Sequence, residues 1–280
     1  MADQAPRRPR TPRLATVLRT SWPTPHLVRV VLGGDGLAGF DPQFTDSYVK
    51  LLLPPAGAPY AAPFDVEEVQ RTQPRELWPC TRTYTVRGWD AAAGELTLDL
   101  VVHGDEGVAG PWAQGARPGD VVHLLGPGGA YTPSPDADWH LLAGDETALP
   151  AIAASLERLP AGARAQVFVE VADAAEEQPL AVPPGVRLEW VHRSGAPGTA
   201  LVAAVCAADL PAGSVHVFVH GEAGCVRELR RFLRADRELA REFMSVSGYW
   251  RLGRTEDRWQ AEKRDWNAAV EAEDQSVTVG

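Results

Sequence analysis

The stretch Arg82-Thr83-Tyr84-Thr85, followed by Val101-Val102-His103-Gly104 and then Gly110-Pro111-Trp112-Ala113, is the most telling part of this chain. Residues 83–88 carry the β-branched and aromatic types of a strand. Side chains alternate along a strand, so Arg82 and Tyr84 share a face. A cation, a ring and a nearby hydroxyl suit a flat, anionic cofactor through a charge pair, stacking and a hydrogen bond. About 25 residues on, the Gly110-Pro111 step opens a short helical segment whose amides can meet a phosphate. Together these features look like a flavin site. An isolated Arg-x-Tyr would read as a surface pair on an edge strand; the Gly-rich helix start downstream is what favours a cofactor.

Working outward, residues 14–20, 27–32, 48–54, 96–103 and 121–125 read as further short strands. Turn formers such as Gly33-Gly34-Asp35-Gly36 and Pro54-Pro55 separate them. Six short strands with few helices predict a small antiparallel barrel. Residues 54–79 read as a long irregular insertion over one barrel end.

The second half alternates. Strands are expected at 139–143, 165–171, 187–192, 215–220 and 243–249, and helices at 147–159, 199–209, 222–238 and 256–272. In the third of these helices Val226, Leu229, Phe232 and Leu233 form an apolar stripe opposite arginines and acids. Strand–helix alternation implies a parallel sheet covered on both faces. The boundary between the halves falls near 131–138, where prolines and acids interrupt the pattern.

Composition excludes several classes. A hydrophobic share of 45% and a charged share of 23% over 280 residues describe a folded chain with one large or two smaller domains. The formal net charge of -10 argues against a nucleic-acid binder. Cys80, Cys206 and Cys225 form no C-x-x-C pair, which points away from disulfides, zinc and iron–sulfur clusters and toward a reducing compartment. Residues 1–13 combine Arg7, Arg8, Arg10 and Arg13 with prolines and read as a flexible tail, not a signal peptide. No apolar run approaches the ~20 residues of a membrane span, so a cytoplasmic protein without stable membrane insertion is expected.

Other motifs carry two readings. Trp112 is a cofactor neighbour or a core residue. Gly126-Pro127-Gly128-Gly129 reads as a turn, with Gly128 and Gly129 as further candidates to line a site. Gly144-Asp145-Glu146-Thr147 lies at a strand-to-helix junction, where ligands of open α/β sheets bind, yet it is not G-x-G-x-x-G. Thr147 reads as an N-cap, with Asp145 and Glu146 near the helix dipole. Gly221-Glu222 shares this ambiguity. His216 and His220 have a tempting metal spacing, but four residues of strand span ~13 Å, too far for ligands lying ~2.1 Å from zinc. In Gly248-Tyr249-Trp250-Arg251-Leu252-Gly253-Arg254, taken to follow a strand, Arg251 and Arg254 read as locally unopposed, able to meet an anion beside an aromatic pair. Trp259 and Trp266 read as packing, and no hydrolytic nucleophile stands out.

From about Leu14 to Ala272 the chain resembles the siderophore-interacting protein family, flavin-dependent ferric-siderophore reductases related to ferredoxin–NADP reductases. The resemblance rests on Arg82-Thr83-Tyr84-Thr85, His103-Gly104-Asp105-Glu106-Gly107, Gly110-Pro111-Trp112-Ala113, Gly144-Asp145-Glu146-Thr147-Ala148-Leu149-Pro150 and Tyr249-Trp250-Arg251-Leu252-Gly253. It implies a β plus α/β fold: an antiparallel FAD-binding barrel over 14–134 and an NAD(P)H-binding α/β domain with a C-terminal helix over 135–280. It also implies the site. Arg82, Tyr84 and Thr85, with Thr83 between them, hold the flavin ring and its phosphate. Val102, His103, Gly107, Gly110, Trp112 and Ala113 line the pyrophosphate side, and Asp145, Thr147, Ala148 and Trp250 approach flavin or nicotinamide nucleotide. Lys50 and Arg251 belong to a basic pocket for an anionic ferric siderophore. Many relatives carry Ser or Thr where Gly110 stands, so one hydroxyl donor is missing here. NADH or NADPH is the expected donor, ferredoxin an alternative partner, and a monomer the expected state. A general flavin or ferredoxin-linked reductase and a non-enzymatic siderophore binder are the rival functions.

Overall fold

The computed structural model describes residues 11–102, 104 and 107–277. The first half is a closed barrel of β1 (Arg13–Thr24), β2 (Leu27–Gly33), β3 (Tyr48–Leu53), β4 (Cys80–Asp90), β5 (Glu95–Val101) and β6 (Val121–Gly128), in the order β1-β2-β5-β4-β3-β6. β6 pairs antiparallel with β1 and closes the ring. The period of two is plain in β5. Leu96, Leu98 and Leu100 point into the core, while Asp99 on the opposite face accepts a two-point ion pair from Arg29. Those leucines meet Val49 and Leu51 of β3, Leu32 of β2 and Leu124 of β6. Burying such side chains stabilises by ~1.5–3 kcal/mol each.

The 54–79 excursion differs from the irregular expectation. It contains helix α1 (Val66–Thr72), capped where the Asp65 side chain accepts from the Glu68 amide. The Phe64 amide donates to His123 Nε2 of β6 at 3.1 Å, and the Phe64 and His123 rings lie 4.6 Å apart, fastening the excursion to the barrel wall. Helix α2 (Ala109–Gly115) packs on the barrel through Ala109 and Ala113.

In the second half β7 (Trp139–Asp145), β8 (Ala165–Val171), β9 (Val186–His192), β10 (Val215–Glu222) and β11 (Met244–Trp250) form a parallel sheet, in the order β11-β10-β7-β8-β9. Helices α3 (Leu149–Glu157), α4 (Thr199–Ala207), α5 (Ala223–Arg231) and α6 (Glu256–Val277) accompany it. The sheet contributes to two separate apolar clusters, one holding Leu141, Val217 and Val219 with α4 and α5, the other Leu142, Val167 and Phe218 with α3. The expected stripe on α5 is present: Val226, Leu229 and Leu233 are buried and Phe232 packs beside them. The helix expected over 222–238 ends as α at Arg231 and widens into a π turn over Phe232–Asp236. His216 and His220 have structural partners. His216 Nδ1 accepts from the Ser134 amide, and His220 stacks on Phe218 and meets Ser245 Oγ at 3.0 Å.

The chain divides into two compact units between Gly129 and Ala130, and Trp22–Leu27 and Phe44–Asp46 belong with the second. Asp46 shows why: its Oδ1 accepts from the Ala130 and Tyr131 amides, both at 2.8 Å.

Candidate cofactor sites

In the barrel, β4 carries the Arg-Thr-Tyr-Thr stretch as expected. Register pairs Arg82 with Leu51 and Tyr84 with Val49, and sets Thr83 opposite Lys50. Arg82 and Tyr84 therefore share one face, while Thr83 and Lys50 share the other. Arg82 and Tyr84 are half-buried, and Tyr84 leans on the barrel core. Thr83 is exposed, whereas Thr85 is buried. The side chains of Val102 and Ala113 are core, and Trp112 packs against the same cluster while keeping part of its ring outside.

Helix α2 starts after Val108, which offers no side-chain cap. By position, the amides of Ala109 and Gly110 have no acceptor within the helix, and Pro111 has no N–H. Among the described residues, a β-carbon on Gly110 would find only Val102 Cγ1 at 4.0 Å, and one on Gly107 nothing within 4 Å. A half-exposed guanidinium, a half-exposed phenol, hydroxyls and two amides suit a phosphate-bearing aromatic cofactor. His103, Asp105 and Glu106 lie outside the described residues.

The sequence Gly126-Pro127-Gly128 is not a turn but the end of β6. Tyr48 pairs with Gly128 and Lys50 with Leu125, so β6 bulges between them and the Tyr48 ring lies against Gly128.

At the carboxyl edge of the parallel sheet, Asp145 is the organising group. Its Oδ1 accepts from the Thr147 amide at 2.9 Å and the Thr147 hydroxyl at 2.5 Å. Its Oδ2 accepts from the Glu222 amide and from Trp250 Nε1, both at 2.8 Å. One buried carboxylate ties together the ends of β7, β10 and β11. Thr147 therefore does not cap α3. Ala148 occupies the N-cap without a side-chain bond, because the Thr147 hydroxyl and amide are both turned back to a stronger, charged acceptor. Ala148 is buried. A β-carbon on Gly144 would stand 2.5 Å from Ala148 Cβ and 2.6 Å from the His220 carbonyl, so only glycine fits there.

Neighbouring acids are also engaged. Glu222 caps α5 through the Cys225 amide at 2.9 Å and accepts from the Leu252 amide at 3.2 Å. Glu170, fully buried, accepts from the Gly198 and Leu201 amides at the start of α4. Arg193 Nη2 meets both oxygens of Glu146 at 2.8 and 2.7 Å, and its Nε lies 3.5 Å from Glu170. Burial raises the Glu146 carboxyl above its ordinary value despite that pairing. Burial likewise opposes the Arg193 charge, yet Glu146 and Glu170 hold it above its usual value. The two directions conflict over Glu146; the two short contacts are those of an ion pair, and we take it as charged at neutral pH. Sequence reasoning left Glu222 ambiguous and missed Glu170, which sits unremarked in a strand and shows its role only through partners 28 and 31 residues away.

Trp250 and the residues from Gly248 belong to β11 itself, with Arg251 just beyond. Neither Arg251 nor Arg254 is unopposed. Arg254 Nε lies 2.9 Å, Arg258 Nε 3.0 Å and Arg251 Nη1 3.7 Å from carboxylate oxygens of Glu262. The helix α6 brings this acid back from beyond the quoted motif. Three guanidiniums share this one carboxylate, and Glu256 and Asp257 of the same segment balance the remaining charge. Trp259 and Trp266 pack as expected, 5.5 Å apart.

Two family models match the chain: the siderophore-interacting FAD-binding domain over residues 16–131 and the siderophore-interacting protein over 137–253. The ferric vibriobactin reductase ViuB of Vibrio cholerae is 34% identical, covering 90% of this chain and 94% of that protein. The NADPH-dependent ferric-chelate reductase of Escherichia coli is 31% identical over 85% of this chain and 92% of its own. Among solved structures, the siderophore-interacting protein SipS from Aeromonas hydrophila matches with a TM-score of 0.79 and 32% identity, covering 91% of this chain and 98% of that one. With an FAD-binding barrel, a parallel α/β unit and relatives of this likeness along nearly its whole length, the chain belongs to the siderophore-interacting protein family.

Proposed function

We propose that the protein is an NAD(P)H-dependent, FAD-containing ferric-siderophore reductase that releases ferrous iron from the chelate. The observation that carries this reading is the FAD-binding-domain match across the barrel, in a chain whose full-length relatives are named ferric reductases. We assign the flavin to residues 14–134 and the nicotinamide nucleotide to 135–280. When bound, FAD supplies the redox chemistry, accepting a hydride from NAD(P)H and passing single electrons to ferric iron.

The protein's own task is placement and charge. In this reading Arg82 pairs with a flavin phosphate, Tyr84 offers its ring, and Thr83 and Thr85 offer hydroxyls. Gly107 and the Ala109 and Gly110 amides, with His103, serve the pyrophosphate side. Val102, Trp112 and Ala113 shape the wall behind, and Ala148 and Trp250 border the nucleotide. Asp145 and Thr147 act through that border, since their polar atoms bond each other, Glu222 and Trp250. Lys50 and Arg251 are proposed as cationic contacts for an anionic siderophore, Arg251 lying 3.7 Å from Glu262, a looser contact than those of Arg254 and Arg258. No acid–base residue is required, because the metal is the electron acceptor. Among the described residues no helix is long and apolar enough to cross a membrane; we place the protein in the cytoplasm, acting as a monomer.

The test begins with purification. A yellow protein is expected, bleached anaerobically by NADH or NADPH and recoloured on adding a ferric siderophore. A protein that takes up no FAD would overturn the assignment. Siderophore binding without any bleaching would leave a binding protein, and faster turnover with ferredoxin would shift the partner.

A further inference from the structure

NADPH differs from NADH only by a dianionic 2′-phosphate, and nucleotide-binding sheets that select NADPH present an arginine to it near the carboxyl ends of their strands. In this sheet the segments leaving the carboxyl ends of β7, β8 and β9 before the next element, residues 146–148, 172–185 and 193–198, contain one cation, Arg193. Its amide donates to the Val171 carbonyl at 2.9 Å, which sets it at the ends of β8 and β9. Two of its three nitrogens, Nη2 and Nε, already face carboxylates. Glu146 holds Nη2 with both oxygens, and Glu170 stands 3.5 Å from Nε. Glu170 cannot yield, because it is fully buried and holds the Gly198 and Leu201 amides. A phosphate arriving here would meet the carboxylates of Glu146 and Glu170 around a single guanidinium, with Asp145 close behind.

We propose that Glu146 is a specificity-determining residue that sequesters Arg193, so that the chain gains nothing from a 2′-phosphate and accepts NADH at least as well as NADPH. This rests on the NAD(P)H-reductase reading, and it gives the acids at the sheet edge a selective role. Glu146 is the member able to change, since its side chain keeps 14% exposure where that of Glu170 has none.

Calorimetric titration of the FAD-loaded protein with 5′-AMP and with 2′,5′-ADP isolates the contribution of the 2′-phosphate without turnover. Wild type is expected to bind the two within about threefold of each other. In Glu146→Gln, 2′,5′-ADP should gain about tenfold relative to 5′-AMP, the size of one charge-assisted contact. That gain should vanish in Glu146→Gln/Arg193→Met. Wild type favouring 2′,5′-ADP tenfold or more, an unchanged ratio in Glu146→Gln, or no binding of either nucleotide would overturn the proposal. Should Glu146→Gln fail to fold by circular dichroism, the wild-type ratio decides alone. Anaerobic bleaching separates the two levels of inference: flavin reduced by neither NADH nor NADPH sinks the reductase reading, whereas reduction by NADPH alone sinks only the selectivity.

Discussion

The barrel and the parallel sheet treat their polar residues in opposite ways. On β4 and at the start of α2, Arg82, Thr83 and Tyr84 are half-buried or exposed and Gly110 borders open space, with only Thr85 buried. At the carboxyl edge of the sheet, Asp145, Glu146, Glu170, Arg193 and Glu222 bond one another and nearby backbone. The first arrangement leaves polar side chains partly exposed to a ligand, Arg82 also donating through Nη1 to the Thr81 carbonyl. The second fixes the ends of strands so that a ligand meets a rigid rim. Substitutions at the rim should therefore cost stability first, and those on β4 should cost cofactor.

The largest effect is expected from Asp145→Ala. Four donors lose their acceptor in a buried place, which should destabilise by about 4 kcal/mol and lower Tm by about 10 °C. A thermal scan showing a loss as small as a surface substitution would break the contrast.

Next comes acid. His140 is wholly buried, with neither ring nitrogen hydrogen-bonded, and burial, aided by His216, lowers its pKa to about 4 from 6.5. Between those values the unfolded chain binds the extra proton, so stability falls as pH falls. The full loss is about 3 kcal/mol. Urea midpoints between about pH 7 and about pH 4 should slope less in His140→Leu; parallel curves would acquit this histidine.

On β4, Arg82→Ala should leave Tm nearly unchanged yet weaken FAD retention about tenfold to a hundredfold, read by flavin absorbance after gel filtration. Undiminished flavin content would remove Arg82 from the site. The smallest effect sharpens the comparison from the other side. Gly110→Ser places a hydroxyl where a β-carbon meets only Val102 at 4.0 Å, and should tighten FAD about threefold, measured by fluorescence titration. A loss of affinity would mean that the loop needs glycine's bare backbone.

The fold was legible because its signals are local. Alternation in Glu95–Val101 and the stripe Val226, Leu229, Leu233 each bury one face, so periodicity alone marks strand and helix. The 54–79 excursion was less so: α1 has one buried side chain, Val69, and its capping aspartate lies among prolines that argue for a loop. In the site, Arg82 and Tyr84 could be paired from strand geometry. What Thr147 does could not, because it depends on an acceptor whose other partners, Glu222 and Trp250, are 77 and 105 residues away. Arg251 and Arg254 looked free for the same reason, their acid arriving on the following helix.

The bulge at the end of β6 has an evolutionary consequence. A β-carbon at Gly128 would stand 2.6 Å from Cζ of Tyr48 and 2.7 Å from its hydroxyl, so a methyl at 128 would displace the phenol from its present position. A lineage that exchanges the aromatic on β3 for a smaller residue first meets no clash on then admitting alanine on β6, whereas the reverse order requires the ring to move. Although 80 positions apart, the two sites constrain one another's substitutions. Chimeras that cross over between them should fail more often than chimeras that cross over elsewhere in the barrel.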